Sequence, residues 1–362
     1  MIKRIFHPVG YGAFYSERHD GFNIVYDCGT KKQKSVDSVV ESAFTKEDII
    51  DILFISHFDS DHVSKISLLM KSVKGIKKVV MPLLYKEDEI FLINFYRIKR
   101  IPLLRMIQNS QRFFGSETVI IKIKHTKEII SDAGSIFLDD IRKSQTIESG
   151  TKIITSTFDN NWAYIPYNYD YKTSNTKIES FLTAQGFDVK EFKTNSKYTL
   201  KEITKARKKI SDSYKLLPYT INQNSMIVYS GPIINDSSGK ESFHDCMQKD
   251  SSVKIVRQDK RSACIYTGDA KLQDCKIKNI YKDYWSNVGT IQIPHHGSID
   301  NFTDECLEDE YYNCPMSVPL HSKHKHHPNQ KVINDIYRKN CCPIQITEDI
   351  FSEFIEYIKL KK

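Results

Sequence analysis

Ser56-His57-Phe58-Asp59-Ser60-Asp61-His62 places two imidazoles and two carboxylates in one short stretch. Imidazole and carboxylate together suit borderline divalent cations such as Zn²⁺ or Mn²⁺, and two adjacent N/O pairs can hold two ions. A helix-capping reading competes at Asp59 or Asp61, since either carboxylate can accept the first N–H groups of a following helix, but it leaves both histidines unexplained. Three further groups carry related chemistry. In Thr267-Gly268-Asp269, Gly268 lets the backbone turn tightly and set Asp269 over a strand end, where a carboxylate can bridge two cations; an ordinary Gly-Asp turn is the plainer alternative. In Pro294-His295-His296-Gly297-Ser298 adjacent histidines point in different directions, so one is expected to bind metal or phosphate and the other to support it. The stretch from His321 to Pro328, with His324, His326 and His327, reads first as a solvated Lys/His-rich loop in which only one histidine need be functional.

Each group follows an apolar run, and that is what has to position them. Residues 51–56 form a short, nearly continuous apolar strand of the kind buried on both sheet faces, with His57 opening the loop at its end. A helix over 63–72 and a strand over 77–81 complete a βαβ unit. Ahead of it, strands at 2–6, 13–17 and 22–26 form a meander ending in Asp27-Cys28-Gly29, and a polar helix is expected over 35–44. Strands resume at 225–229, 262–267, 289–294 and 316–320, and a helix closes the pattern over 330–339. In sheets so connected, ligands gather outside the strand ends. Between about 86 and 220 the pattern reads as an inserted, mainly helical region, with helices at 90–114, 174–184 and 199–213 and one strand pair near 150–158, because a structureless loop of that length is improbable.

The whole chain has 362 residues, 40% hydrophobic and 27% charged, which fits a folded α/β protein and excludes a disordered chain or a mini-scaffold. We expect one domain over 1–362. No run of apolar residues is long enough to cross a membrane, and the N-terminus has no apolar core of a secretory signal, so a cytoplasmic protein without membrane attachment is expected. The eight cysteines show no C-x-x-C pair and are expected to be reduced. A net charge of +8, with Lys205, Arg207, Lys208 and Lys209 in one run, favours anionic partners such as nucleic acid, although such a run also suits an exposed helix face.

In order along the chain, these residues resemble the metallo-β-lactamase-fold hydrolases, in the branch related to the metal-dependent domain of the ComEC competence protein. Val9-Gly10-Tyr11-Gly12 and Asp27-Cys28-Gly29 are similar to its opening V-G-x-G and D-x-G. Ser56 to His62 is similar to S-H-x-D-x-D-H, and Asn222 to Val228 to its N-x-S-x-V strand. Thr267 to Asp269, Pro294 to Ser298 and the Ser317-Val318-Pro319 to His327-Pro328 interval follow. Val63-Ser64-Lys65 departs from the usual glycine pair, Pro319 stands where glycine is usual, and the interval from His62 to Asn224 is longer than typical.

The resemblance implies an αββα sandwich with the inserted helical region, and a metal-dependent hydrolase using a two-metal-activated hydroxide, most simply a phosphodiesterase or nuclease on DNA or RNA. It implies two divalent ions, Zn or Mn, with His57 and Asp59 on the first, Asp61 and His62 on the second, and Asp269 bridging. Among His295, His296 and His327 lie the remaining ligand and a phosphate contact, and catalysis is expected of Asp61, Asp269 and His296. Asn224, Ser298 and His327 are expected to contact substrate or support the site. Asp27 is expected either to orient a ligand histidine or simply to form the turn after its strand. Competing functions are hydrolysis of a small phosphodiester such as a cyclic nucleotide, hydrolysis of another small ester or amide, and a non-catalytic metal-stabilised module. In that last case the inserted region would bind a protein partner.

Overall fold

The computed structural model describes residues 1–31, 36–99, 104–130, 133–156, 161–170, 176–184, 186–198, 225–233, 243–248, 255–257, 261–307, 311–320 and 327–359. Its strands are β1 (Ile2–Phe6), β2 (Gly12–His19), β3 (Phe22–Thr30), β4 (Ile49–Phe54), β5 (Gly75–Pro82), β6 (Val119–Ile123), β7 (His125–Thr126), β8 (Ser135–Phe137), β9 (Gln145–Ile147), β10 (Lys152–Thr155), β11 (Trp162–Tyr169), β12 (Ile227–Pro232), β13 (Phe243–Gln248), β14 (Ile255–Arg257), β15 (Ala263–Tyr266), β16 (Val288–Ile291), β17 (Asn313–Ser317), β18 (Cys342–Ile346) and β19 (Phe354–Lys359). They form two large sheets, ordered β14-β13-β19-β1-β2-β3-β4-β5-β6-β9 and β18-β17-β16-β15-β12-β11-β10-β8, with β7 added beside β11.

Three buried clusters define four layers, and strand alternation explains them. In β4 and just beyond it, Ile52 and Phe54 join Tyr164, Val228 and Tyr266 of the other sheet, while Leu53 and Ile55 pack outward against Val40, Ile66 and Leu69 of the helices. Successive side chains of a strand point to opposite faces, so an unbroken apolar strand is what a doubly covered sheet requires. The second sheet repeats the arrangement: Ile265, Ile291 and Met316 pack on Leu272, Ile277, Val332 and Ile336 of its own helices. The architecture is therefore the expected αββα sandwich.

The stretch expected to be mainly helical also carries more sheet than the one strand pair expected. Residues 119–169 contain six strands, β6 to β11, and both sheets are extended by them. β11 is buried along nearly its whole length, between β12 and β10. Its Pro166, which argues against a strand interior, lies where β10 has left the ladder and β7 has not yet joined, so the ladder tolerates a residue without an N–H. The long helix expected over 90–114 is divided into Lys86–Lys99, Leu104–Gln108 and Ser110–Phe114, with Asn109 capping the last through Arg112 N. Likewise the helix expected over 63–72 is two short ones, Ser60–Val63 and Ile66–Ser72. The expected helix at 199–213 and the basic run Lys205 to Lys209 lie outside the described residues. No helix among the described residues is long and apolar enough to cross a membrane.

Candidate metal centre

β3 and β4 run parallel in one sheet, β15 and β16 run parallel in the other, and contacts among the residues at their C-terminal ends bring those ends to one edge of the sandwich. Hydrogen bonds fasten the two sheets there: Met226 N donates to Ser56 O at 2.8 Å, and the Tyr26 hydroxyl donates to Met226 O at 2.7 Å. Two glycines permit the approach. A Cβ on Gly29 would lie 2.5 Å from the backbone at His62 and Val63, and one on Gly268, whose φ is +55°, would lie 2.2 Å from Ser225 Oγ.

β3 does not end at Tyr26, as expected, but continues to Thr30 through a bulge. The register passes from Tyr15↔Tyr26 to Phe14↔Cys28, leaving Asp27 as the extra residue with φ 54°. The bulge aims the buried Asp27 carboxylate into the site. It accepts from Ser56 N at 2.7 Å, Ser56 Oγ at 2.6 Å and His62 Nδ1 at 2.8 Å.

This carboxylate sets the ring tautomers. Because the Ser56 hydroxyl gives its proton to Asp27, its oxygen accepts from His57 Nδ1 at 2.9 Å, which leaves the His57 Nε2 lone pair facing the cluster. His296 Nδ1 donates to Ser317 O at 2.9 Å. The Asn301 amide is oriented by Nδ2 donating to Asp269 O at 2.8 Å, so its Oδ1 accepts from His295 Nδ1 at 2.9 Å. All four histidines thus turn Nε2 inward, the arrangement that metal-binding imidazoles acquire from partners on the far nitrogen.

Asp269 lies at the middle. Its Oδ1 is 3.1 Å from His62 Nε2, and its Oδ2 is 3.7 Å from His57 Nε2 and 3.8 Å from His295 Nε2. Asp61 Oδ2 is 3.2 Å from His296 Nε2 and 3.2 Å from Lys31 Nζ. Burial, reinforced by His62, drives His57 down to about 3, and burial also lowers His296, so both rings are neutral as ligation requires. Burial alone would lower His62, but Asp269 and Asp27 hold it well above its ordinary value. Asp269 sits well below the usual carboxylate range because His62 and His295 outweigh its burial; at Asp61, Lys31 and His296 do the same. Asp27 is raised by burial, only partly offset by His62 and Ser56.

The residues fit a divalent cation. His57 Nε2, Asp61 Oδ1 and Asp269 Oδ2 are buried with no hydrogen-bond partner, an expensive condition unless something positive is bound. Bonds of 2.0–2.2 Å to a tetrahedral ion set ligand atoms about 3.4 Å apart, close to the separations found here. Two groups could each hold an ion, His57 with His62 and Asp269, and Asp61 with His62 and His296.

Asp59 is not in either group. Its extended backbone makes it the N-cap of Ser60–Val63, and its Oδ1 accepts from Ser60 N at 2.6 Å, as the capping alternative anticipated. Ser298 Oγ accepts from Asp300 N within the turn after the histidines, and the His327 ring stands 5.5 Å from that of His295, outside both groups. Asn224 and His321 to His326 lie outside the described residues. Lys31, Asn301 and Gln292 were not anticipated. Gln292 Oε1 accepts from Thr267 N and Gly268 N, both at 2.8 Å, fixing the turn that presents Asp269. An amide six positions after His295 was the available signal for Asn301.

No family model and no curated protein matches the chain. Solved structures similar to it include the metallo-beta-lactamase fold protein YhfI from Bacillus subtilis, at 9% identity over 99% of this chain and 100% of that one, TM-score 0.42. Human tRNase Z, short form, is similar at 10% identity over 96% and 92% of the two chains, TM-score 0.37. A long-form RNase Z from yeast is similar at 10% identity over 98% of this chain and 41% of that one, TM-score 0.31.

Proposed function

We propose that the protein is a metal-dependent hydrolase that holds two divalent cations, Zn or Mn, and cleaves phosphodiesters, with nucleic acid as its substrate. The observation that supports this reading is the convergence of inward-facing histidine nitrogens on the Asp269 and Asp61 carboxylates, where His57 Nε2, Asp61 Oδ1 and Asp269 Oδ2 are buried without hydrogen-bond partners. The two oxygens of Asp269 suggest the division of ligands: His57 and His295 lie beside Oδ2, and His62 lies beside Oδ1, with Asp61 and His296 completing its side. When bound, such a pair of cations lowers the pKa of water and neutralises charge developing on a phosphoryl group.

The chain's own contribution is orientation. Asp27 holds His62 and, through Ser56, His57; Asn301 ties His295 to the Asp269 backbone; Ser317 O holds His296. Asp61, whose Oδ2 lies 3.2 Å from both His296 Nε2 and Lys31 Nζ, is placed to steer the attacking water as well as to hold a cation. The net charge of +8 favours a polyanionic substrate.

Metal analysis of the purified protein should return two equivalents of divalent cation. Cleavage of single-stranded and duplex DNA and RNA should appear with Mn²⁺ or Zn²⁺ and disappear in Asp61→Ala and Asp269→Ala. Absence of cleavage of any phosphodiester at metal saturation refutes the proposal.

A further inference from the structure

Exposure increases from the centre of the cluster toward Lys31. The side chains of Asp61, His57 and His62 are 1–2% exposed, that of His295 is 10% exposed, and that of Lys31 is 40% exposed. Lys31 lies just past β3, and its backbone is pinned by its N–H donating to Tyr11 O at 2.8 Å. Its ammonium stands 3.9 Å over the Tyr11 ring and 3.2 Å from Asp61 Oδ2, and the same ring lies 4.1 Å from that of His296. A cation held against an aromatic face gives up much of its freedom before any ligand arrives.

From this placement we infer that Lys31, on its Tyr11 platform, binds a non-bridging oxygen of an anionic phosphoryl substrate at the entrance of the centre. The inference rests on the hydrolase reading above and deepens it by naming the residue that receives the substrate's phosphoryl oxygen. An ammonium has three N–H donors; Asp61 and Tyr11 engage the inner side of this one, and its 40% exposed side chain leaves the outer side for a ligand. Charge balance points the same way. Two divalent cations exceed the buried carboxylates Asp27, Asp61 and Asp269 by one positive charge, and Lys31 offsets the nearby Asp59, so the loaded centre stays net positive and favours an anion over a neutral ester or amide.

The test compares wild type, Lys31→Met and Lys31→Arg on bis(p-nitrophenyl) phosphate and on neutral p-nitrophenyl acetate, with metal content measured for each. Binding of inorganic phosphate is followed by calorimetry in parallel. Lys31→Met should lower the phosphodiester-to-acetate ratio of kcat/KM roughly tenfold to a hundredfold, chiefly through KM, and weaken phosphate binding by a similar factor. Metal content should stay at the wild-type value, and Lys31→Arg should recover most of the loss. Equal losses on both esters, a fall in metal content, or unchanged phosphate affinity would make Lys31 only a structural partner of Asp61 and overturn the inference. If the wild type cleaves neither ester, the hydrolase reading fails separately. Phosphate binding then decides alone: dependence on Lys31 upholds the anion site, and independence removes it.

Discussion

Replacing Asp27 by asparagine tests how far one buried carboxylate organises the whole centre. Asparagine keeps the shape and tolerates the positive φ of the bulge, so the backbone is not the variable. The carboxylate accepts three hydrogen bonds of 2.6–2.8 Å, two from Ser56 and one from His62. An amide offers a single acceptor oxygen and turns an NH₂ toward groups that are themselves donors, so at least one bond to a charged acceptor is lost, about 1.5–3 kcal/mol. Both His57 and His62 depend on this residue for the orientation of Nε2, and that loss corresponds to roughly tenfold to a hundredfold in metal affinity. Competition against a chromogenic chelator measures the affinity directly, and circular dichroism checks that the variant is folded. Wild-type affinity in a folded Asp27→Asn protein would refute the tautomer argument, and with it the claim that the β3 bulge exists to aim this side chain.

Gly268→Ala, whose Cβ would lie 2.2 Å from Ser225 Oγ at a φ of +55°, should cost about 1–3 kcal/mol in a urea melt and reduce bound metal. Asn301→Leu removes the acceptor for His295 Nδ1 and the donor to Asp269 O; a chelator titration should show metal affinity lower by about tenfold or more, with the fold retained. Far from the centre, Glu17 receives Arg4 and the hydroxyls of Tyr164, Ser230 and Tyr266 between the sheets. Burial alone would raise its carboxyl, but Arg4 and His19 hold it well below the usual range. Its folded value being depressed, its contribution to stability is complete above the unfolded value of about 4.3 and is lost as pH falls below that. Denaturant melts across pH should therefore show Glu17→Gln destabilised by about 3 kcal/mol at pH 7 and the gap to wild type narrowing below about pH 4.

Much of the architecture was legible because apolar runs of strand length flank each polar group. The run at 51–56 appears as β4, and the strands near 225, 263 and 289 appear within a few residues of their expected places. Residues 119–169 misled because short strands and an aromatic, proline-containing β11 carry little alternation; their strand character comes from partners in both sheets. Asp59 illustrates the opposite limit. Its type and spacing matched those of a ligand, yet the backbone entering Ser60–Val63 ties one of its oxygens to the helix N-terminus.

By itself the sequence determined which residue types sit at strand ends and that histidine and carboxylate recur there, since periodicity and local turn chemistry are properties of neighbouring residues. Only the tertiary structure decided that His296 meets Asp61 across 235 positions and that a bulge aims Asp27 at His62. It alone set Lys31 over Tyr11 beside the same carboxylate. Those contacts depend on how two sheets stack and where their edges coincide, and no spacing along the chain encodes a distance between strands that are not neighbours.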